Sequence, residues 1–357
     1  MKKKTNFAQS IKMMATLNKT KQIYLFFFIS LLLTACSHSK KIDVSNIDVN
    51  ITIERFDKDF DAIRNKPTAQ EAAILQNKYG VFYKDFIEQI LQAGTITDTA
   101  YYNVIRQIVN AQPYKDLEHD VDSVYPNMDK QNAELTDAFR RVKYYYPQQR
   151  IPKIYAYFSG FEAQTSIGDG YFGIGLDLFL GANSRFYPSL TKAFPHYLSQ
   201  FFTPDNITPR VIEGFARNEM FPQKDVDQSL LTKMIYNGKI LYFMDQVLPD
   251  VPDSTKIGYT AKQLDWCKKY EPSIWGYLLD ENLLYETDYN KIKKFIDVAP
   301  FTSGIGENNE AAPRLGLYEG WQIVKSYMDK HPEVTLPQLM ANTNTQQILN
   351  DSKYHPK

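Results

Sequence analysis

The chain has 357 residues, with 41 basic and 41 acidic side chains and no formal net charge. That balance, spread without a basic stripe, argues against nucleic-acid binding. Two cysteines, Cys36 and Cys267, make no disulfide framework.

Residues 1–22 hold six lysines and no acid, and "IYLFFFISLLLTA" (23–35) follows, almost wholly apolar. A basic stretch before a short apolar run is the layout of a secretory signal. Thirteen residues fall short of the roughly 20 that span a bilayer as a helix. The run ends "LTAC", which resembles the bacterial lipobox. That resemblance implies cleavage after Ala35 and acyl chains, palmitate among them, on Cys36. Loss of the six lysines leaves 35 basic against 41 acidic residues, about −6. The basic "SHSKK" after Cys36 is not the acidic run of surface-exported lipoproteins, so a periplasm-facing protein is expected. The expected organisation is a signal peptide over 1–35, a tether over 36–46 and a single domain over 47–357.

"IDVNITI" (47–53) alternates like a half-buried strand. Helical spacing takes over at Phe56, Phe60 and Ile63, so the N-terminal part, 55–147, reads as helices. Thr68 with Glu71 suggests a capping box, and Gly80 and Gly94 are helix stops. Helices are expected over 98–110 and 127–146.

The sheet is expected within 152–178. "KIYAYFSG", "AQTSIG" and "YFGIGLDL" are rich in β-branched and aromatic residues, and Gly168-Asp169-Gly170 is a hairpin signal between the last two. Gly173 and Gly175 suggest close approach by a ligand or a packed helix.

The C-terminal part, 185–351, returns to helices. Thr208 reads as an N-cap with Pro209 at the first helical position, so a helix is expected over 209–221. Further helices are expected at 225–247, 260–270, 272–284, 289–297, 314–330 and 336–351, with Gly238 a potential break. Thr260 and Gln263 suggest a second capping box.

"NEMFP" (218–222) stands where a zinc peptidase carries H-E-x-x-H, with Asn218 and Pro222 in the two histidine positions and Glu219 in that of the general base. The five histidines show no H-x-x-x-H spacing. A site from His196, Glu213 and Glu219 is disfavoured, because Glu213 and Glu219 are six apart and point to different sides of a helix. No metal and no cofactor beyond the lipid on Cys36 is expected. Glu219 is the catalytic candidate; the plainer reading gives it a bond to the sheet, Arg210 or Arg217. Ser159 and Ser166 lack a nucleophile elbow, and Cys267 reads as a small buried residue. In "PRLGLYEGWQIVKSYM" (313–328), Gly316 and Gly320 favour close helix packing, while Arg314, Tyr318 and Trp321 offer a groove lining as the sharper alternative.

The segments "IERFDKDF", "GIGLDLFLG", "GKILYFMDQVLPD", "EPSIWGYLLDENLLYETD", "APFTSG", "PRLGLYEGWQIVKSYM" and "SKYHPK" together resemble the gliding motility lipoprotein family GldB of the Bacteroidetes. The resemblance implies a membrane-attached lipoprotein of the gliding or cell-envelope machinery, distantly similar to predicted zinc peptidases. The expected fold is α+β, predominantly helical and zincin-like, with a small central sheet or hairpin. A non-catalytic role in binding or scaffolding is expected; a hydrolase using Glu219 and a purely structural subunit are the alternatives. The expected partners are the membrane, through the lipid, and envelope proteins or a peptide segment. The cleft residues would be Gly173, Gly175, Asp177, Asn218, Glu219, Arg314, Tyr318 and Trp321.

Overall fold

In the alternating segment that opens the domain, Val49, Ile51 and Ile53 are buried as their spacing demands, but only Ile53–Arg55 forms a strand, β1. The computed structural model describes residues 42–61, 64, 69–223, 227–306 and 308–357. The signal, Cys36, Ile63 and Thr68 lie outside these. Residues 44–357 form one unit, described here.

Helices α1 (Phe56–Asp61), α2 (Ala69–Tyr79) and α3 (Val81–Asp85, extended by a π turn over Phe86–Ile90) follow. Phe56, Phe82 and Phe86 are fully buried, with ring centroids of Phe56 and Phe86 4.7 Å apart. Edge-to-face aromatic pairs of this kind add about 1 kcal/mol each beyond their buried area. Gly80 takes positive φ directly after α2, as a helix stop requires. The expected stop at Gly94 is not where the next helix ends: the π turn closes at Ile90, and the left-handed residue past it is Gln92, φ 50°. Next come α4 (Tyr101–Asn110), α5 (Gln112–Val124) and α6 (Asp129–Tyr145). The separate helix α5 was not expected from the sequence; Pro113 sits in its first turn, where a proline costs no backbone bond.

The sheet has β2 (Lys153–Tyr157), β3 (Thr165–Gly168) and β4 (Tyr171–Gly175) in the order β1-β2-β4-β3. β1, β2 and β4 are parallel, and β3 is antiparallel to β4 through the two-residue turn Asp169–Gly170. Its two edges differ. Ahead of and at β1, Thr136 and Asn132 of α6 accept from the amides of Ile51 and Ile53, and Arg140 donates to the Val49 carbonyl. Side chains of α6 thus stand in for a further strand on that edge. The expected long strand is short because its partner β2 begins only at Lys153, with Ile53 already opposite Ile154. The β3 edge has no such cover among the described residues.

The second half contains α7 (His196–Ser199), α8 (Ile207–Phe215, extended by a π turn over Ala216–Met220), α9 (Leu230–Val247), α10 (Asp253–Ile257) and α11 (Ala261–Asp280). Then come α12 (Tyr289–Ile292), α13 (Leu315–Lys330), α14 (Leu336–Ala341) and α15 (Thr345–Ser352). Several boundaries correct the expectations. Thr208 does not cap α8: it is buried inside the helix and its hydroxyl donates to Glu134 at 2.7 Å. The expected pair 260–270 and 272–284 is one helix, because Pro272 lies inside α11 without ending it. An interior proline costs about 3 kcal/mol, and α11 keeps its course because Cys267, Ile274, Trp275 and Leu278 are buried along it. The Thr260–Gln263 capping box is present, and Thr335–Gln338 forms another. The expected 336–351 helix is two, parted at Asn342–Asn344. Gly238 does not break α9. A Cβ there would lie 2.2 Å from the Gly320 carbonyl, so α9 and α13 meet backbone to backbone. The fold is α+β and mostly helical, with a small mixed sheet.

Candidate binding site

Helix α8 lies on the hairpin, and Gly214 is the reason it lies so close. A Cβ at Gly214 would stand 2.9 Å from the Phe172 ring and 3.7 Å from Ile167. The expected cleft between hairpin and helix is therefore filled at its middle. Gly173 faces Ser166 and Tyr157, and Gly175 faces the Ala163 carbonyl at 2.0 Å from an ideal Cβ, so both serve strand packing rather than an open surface.

Asp177 is fully buried just beyond β4. Its Oδ2 accepts from the amides of Phe161 (2.7 Å) and Ser159 (3.0 Å). Burial pushes its carboxyl up, and these amides only partly offset that, leaving it at about 6. It ties the 159–161 bend to the strand end.

The π turn over 216–220 changes the meaning of "NEMFP". Phe221 donates back to Ala216 and then leaves the helix, so Pro222 lies beyond it. A π turn closes on i+5, which takes residues 218 and 222 off a common helix face. Asn218 is exposed and its amide donates to the Gly214 carbonyl at 2.8 Å. Glu219 is exposed beside it. Arg210 and Arg217 do not serve Glu219, as the plainer sequence reading had it; both pair with Glu213, one turn below. Their spacing of i+3 and i+4 about Glu213 was the available signal. Burial raises the Glu213 carboxyl, but the charges of Arg210, Arg217 and Arg314 outweigh it and hold it at about 2. Among the described residues, no group of three or more His, Cys, Asp or Glu is placed to hold a metal ion.

Arg314 begins α13 in the left-handed region, φ 51°. It donates to the Ile257 carbonyl at 2.6 Å, while Arg210 donates to those of Thr255 and Lys256. The two guanidiniums thereby close the end of α10, where Gly258 turns at φ 74°. Tyr318 and Trp321, by contrast, stand in the core. Tyr318 donates to Glu271 and the Trp321 indole to Asp245, both at 2.8 Å. Gly320 and Gly316 pack against α9 and Phe295.

Open space lies at both ends of α8. At its start, Arg210, Arg314, Gln164, Asn206 and Gln263 share a cavity of about 280 Å³ with Phe194, Tyr197, Phe201 and Phe202. Of these, the sequence offers Arg314 as a groove lining, Arg210 only as a partner for Glu219 and Gln263 only as part of a capping box. At the far end, about 710 Å³ is lined by Met220, Phe221, Pro222, Tyr236, Lys239 and Asn342. There burial draws the Lys239 ammonium down to about 8, and it donates to the Met340 and Asn342 carbonyls, holding α14 to α9.

The small mixed sheet, one open edge and an arginine-lined cavity beside it belong to a mainly helical α+β domain. The chain belongs to the family of gliding motility protein GldB, whose family model matches residues 37–356. It is thus a member of a family of gliding motility lipoproteins. No curated protein and no solved structure matches it. No helix among the described residues is long and apolar enough to cross a membrane.

Proposed function

We propose that the chain is a lipoprotein of the gliding or cell-envelope machinery, held in the membrane by lipid on Cys36 and facing the periplasm. Its folded unit binds an extended segment of another envelope protein and does not cut it. The family match from residue 37, directly after Cys36, supports the anchor. Several acyl chains on one residue give stable membrane attachment.

The observation that carries the binding role is the outer edge of β3. Gly175 donates to the Gln164 carbonyl at 2.9 Å. Antiparallel alternation then puts Gln164, Ser166 and Gly168 in bonded pairs with β4. The amides and carbonyls of Thr165 and Ile167 point the other way, and no described residue bonds to them. Such an edge accepts a strand from a partner. Glu219, exposed within the π turn, and Asn218, bonded to the helix backbone, support binding rather than cutting. The zincin-like reading of the fold stands on strands preceding a helix that carries Glu219.

The test is complementation of cells that lack the protein. Glu219→Gln restores function, whereas Thr165→Pro, which removes an outward donor, does not at equal protein level. Cys36→Ser moves the protein to the soluble fraction. Failure of Glu219→Gln alone would reinstate a hydrolase.

A further inference from the structure

We infer that the cavity at the start of α8 takes the C-terminal carboxylate of the segment that β3 binds; this rests on the strand-addition reading above. Charge points to an anion. Arg210, Arg217 and Arg314 surround one acid, Glu213, so these four groups carry two positive charges in excess. Arg314 is not saturated: beyond the Ile257 carbonyl, no described residue accepts from its Nε or Nη1. The Nε of Arg210 is buried without a partner. Buried donors without acceptors are costly, and a carboxylate satisfies guanidinium donors in pairs. The start of α13, a helix of 16 residues, adds its positive dipole end at Arg314.

Chain direction points to a C-terminus rather than an acidic side chain or a free ion. Gln164, the residue before β3, lines the cavity. A strand added antiparallel to β3 runs from Gly168 towards Thr165 and finishes beside Gln164. Its terminal carboxylate then arrives at the arginines, where a parallel strand would bring an ammonium. The cavity, about 280 Å³, is at the lower limit for small-molecule pockets, a size for one residue. Phe194, Leu198, Phe201 and Phe202 wall it, so that last residue is apolar.

Two random-peptide libraries, one displayed with free C-termini and one with C-termini fused to the display scaffold, test this against the full chain in detergent. The expected result is binders from the free-C-terminus library alone, ending in an apolar residue. Amidating them weakens binding roughly tenfold to hundredfold. Binders of equal strength from both libraries overturn the carboxylate site and leave strand addition standing; binders from neither overturn both. Arg314→Gln reduces affinity for the free-acid peptides by a similar factor and spares the weaker binding of their amides. That second readout reports that the variant is folded. Unchanged affinity for the free-acid peptides overturns the role of Arg314.

Discussion

Gly320→Ala tests the backbone contact on which the C-terminal half is built. An ideal Cβ at Gly320 would lie 1.9 Å from the Met234 carbonyl oxygen and 2.4 Å from its carbon. Ordinary contact begins near 3.4 Å, so α13 must retreat from α9 by about 1.5 Å or the backbone must distort. Overpacking typically costs about 1–3 kcal/mol where side chains yield. Here the obstacle is backbone, so the upper end applies. A gain of about 1 kcal/mol from replacing a helical glycine works against it. The expected net loss is about 2 kcal/mol, a fall in Tm of about 4 °C for a domain of this size. Gly276→Ala is the control, since that helical glycine has nothing within 4 Å of its Cβ. It should gain about 0.5–1 kcal/mol. Paired thermal and urea unfolding of the two variants reads the difference. Equal stability gains in both would refute the contact. Retreat of α13 also displaces Arg314 at its start, so Gly320→Ala should weaken free-acid peptides as well.

Glu213→Gln removes a carboxylate held at about 2, below its ordinary value of 4.5. A depressed acid stabilises the fold above its unfolded value, and that stability is lost as pH falls from about 4.5 to about 2. The variant should therefore be less stable by about 2–3 kcal/mol at pH 7 and show a flatter acid limb in pH-dependent unfolding. Asp177 has the opposite sign: its raised carboxyl removes stability as pH rises from about 4 to about 6. Asp177→Ala abolishes that slope, yet costs about 2 kcal/mol at pH 5, because the Ser159 and Phe161 amides lose their acceptor. Thr260→Ala breaks the capping box of α11 and should cost about 1 kcal/mol by urea unfolding.

Local chemistry made much of this fold readable. Gly168-Asp169-Gly170 marks the hairpin because only a tight turn with a positive φ at Gly170 joins strands two residues apart. Gly316 and Gly320 announce a close helix neighbour by their spacing, though not that the neighbour's own glycine is Gly238. What stayed hidden depends on distant partners. Nothing near Ile51 says that Thr136, 85 residues on, takes its amide in place of a strand. Pro272 reads as a stop because propensity is local, and the packing that overrides it is not. The π turn erases the helical register that made Asn218 and Pro222 look like vacated ligand positions. The sequence offers Arg314 as a groove lining; its meeting with Arg210 across the end of α10 is a product of the tertiary fold.

The open edge of β3 has a cost when the molecule is crowded onto a membrane. Copies held there by the proposed lipid on Cys36 would share two dimensions, where encounters are frequent and every unpaired edge is a template for self-association. At four residues, ending in the Asp169–Gly170 turn, β3 offers only the outward groups of Thr165 and Ile167. Two copies meeting there gain too few backbone bonds to hold. A segment that also fills a neighbouring pocket is not so limited. On the proposed role, brevity would thus keep the edge available to a partner while denying it to its own kind.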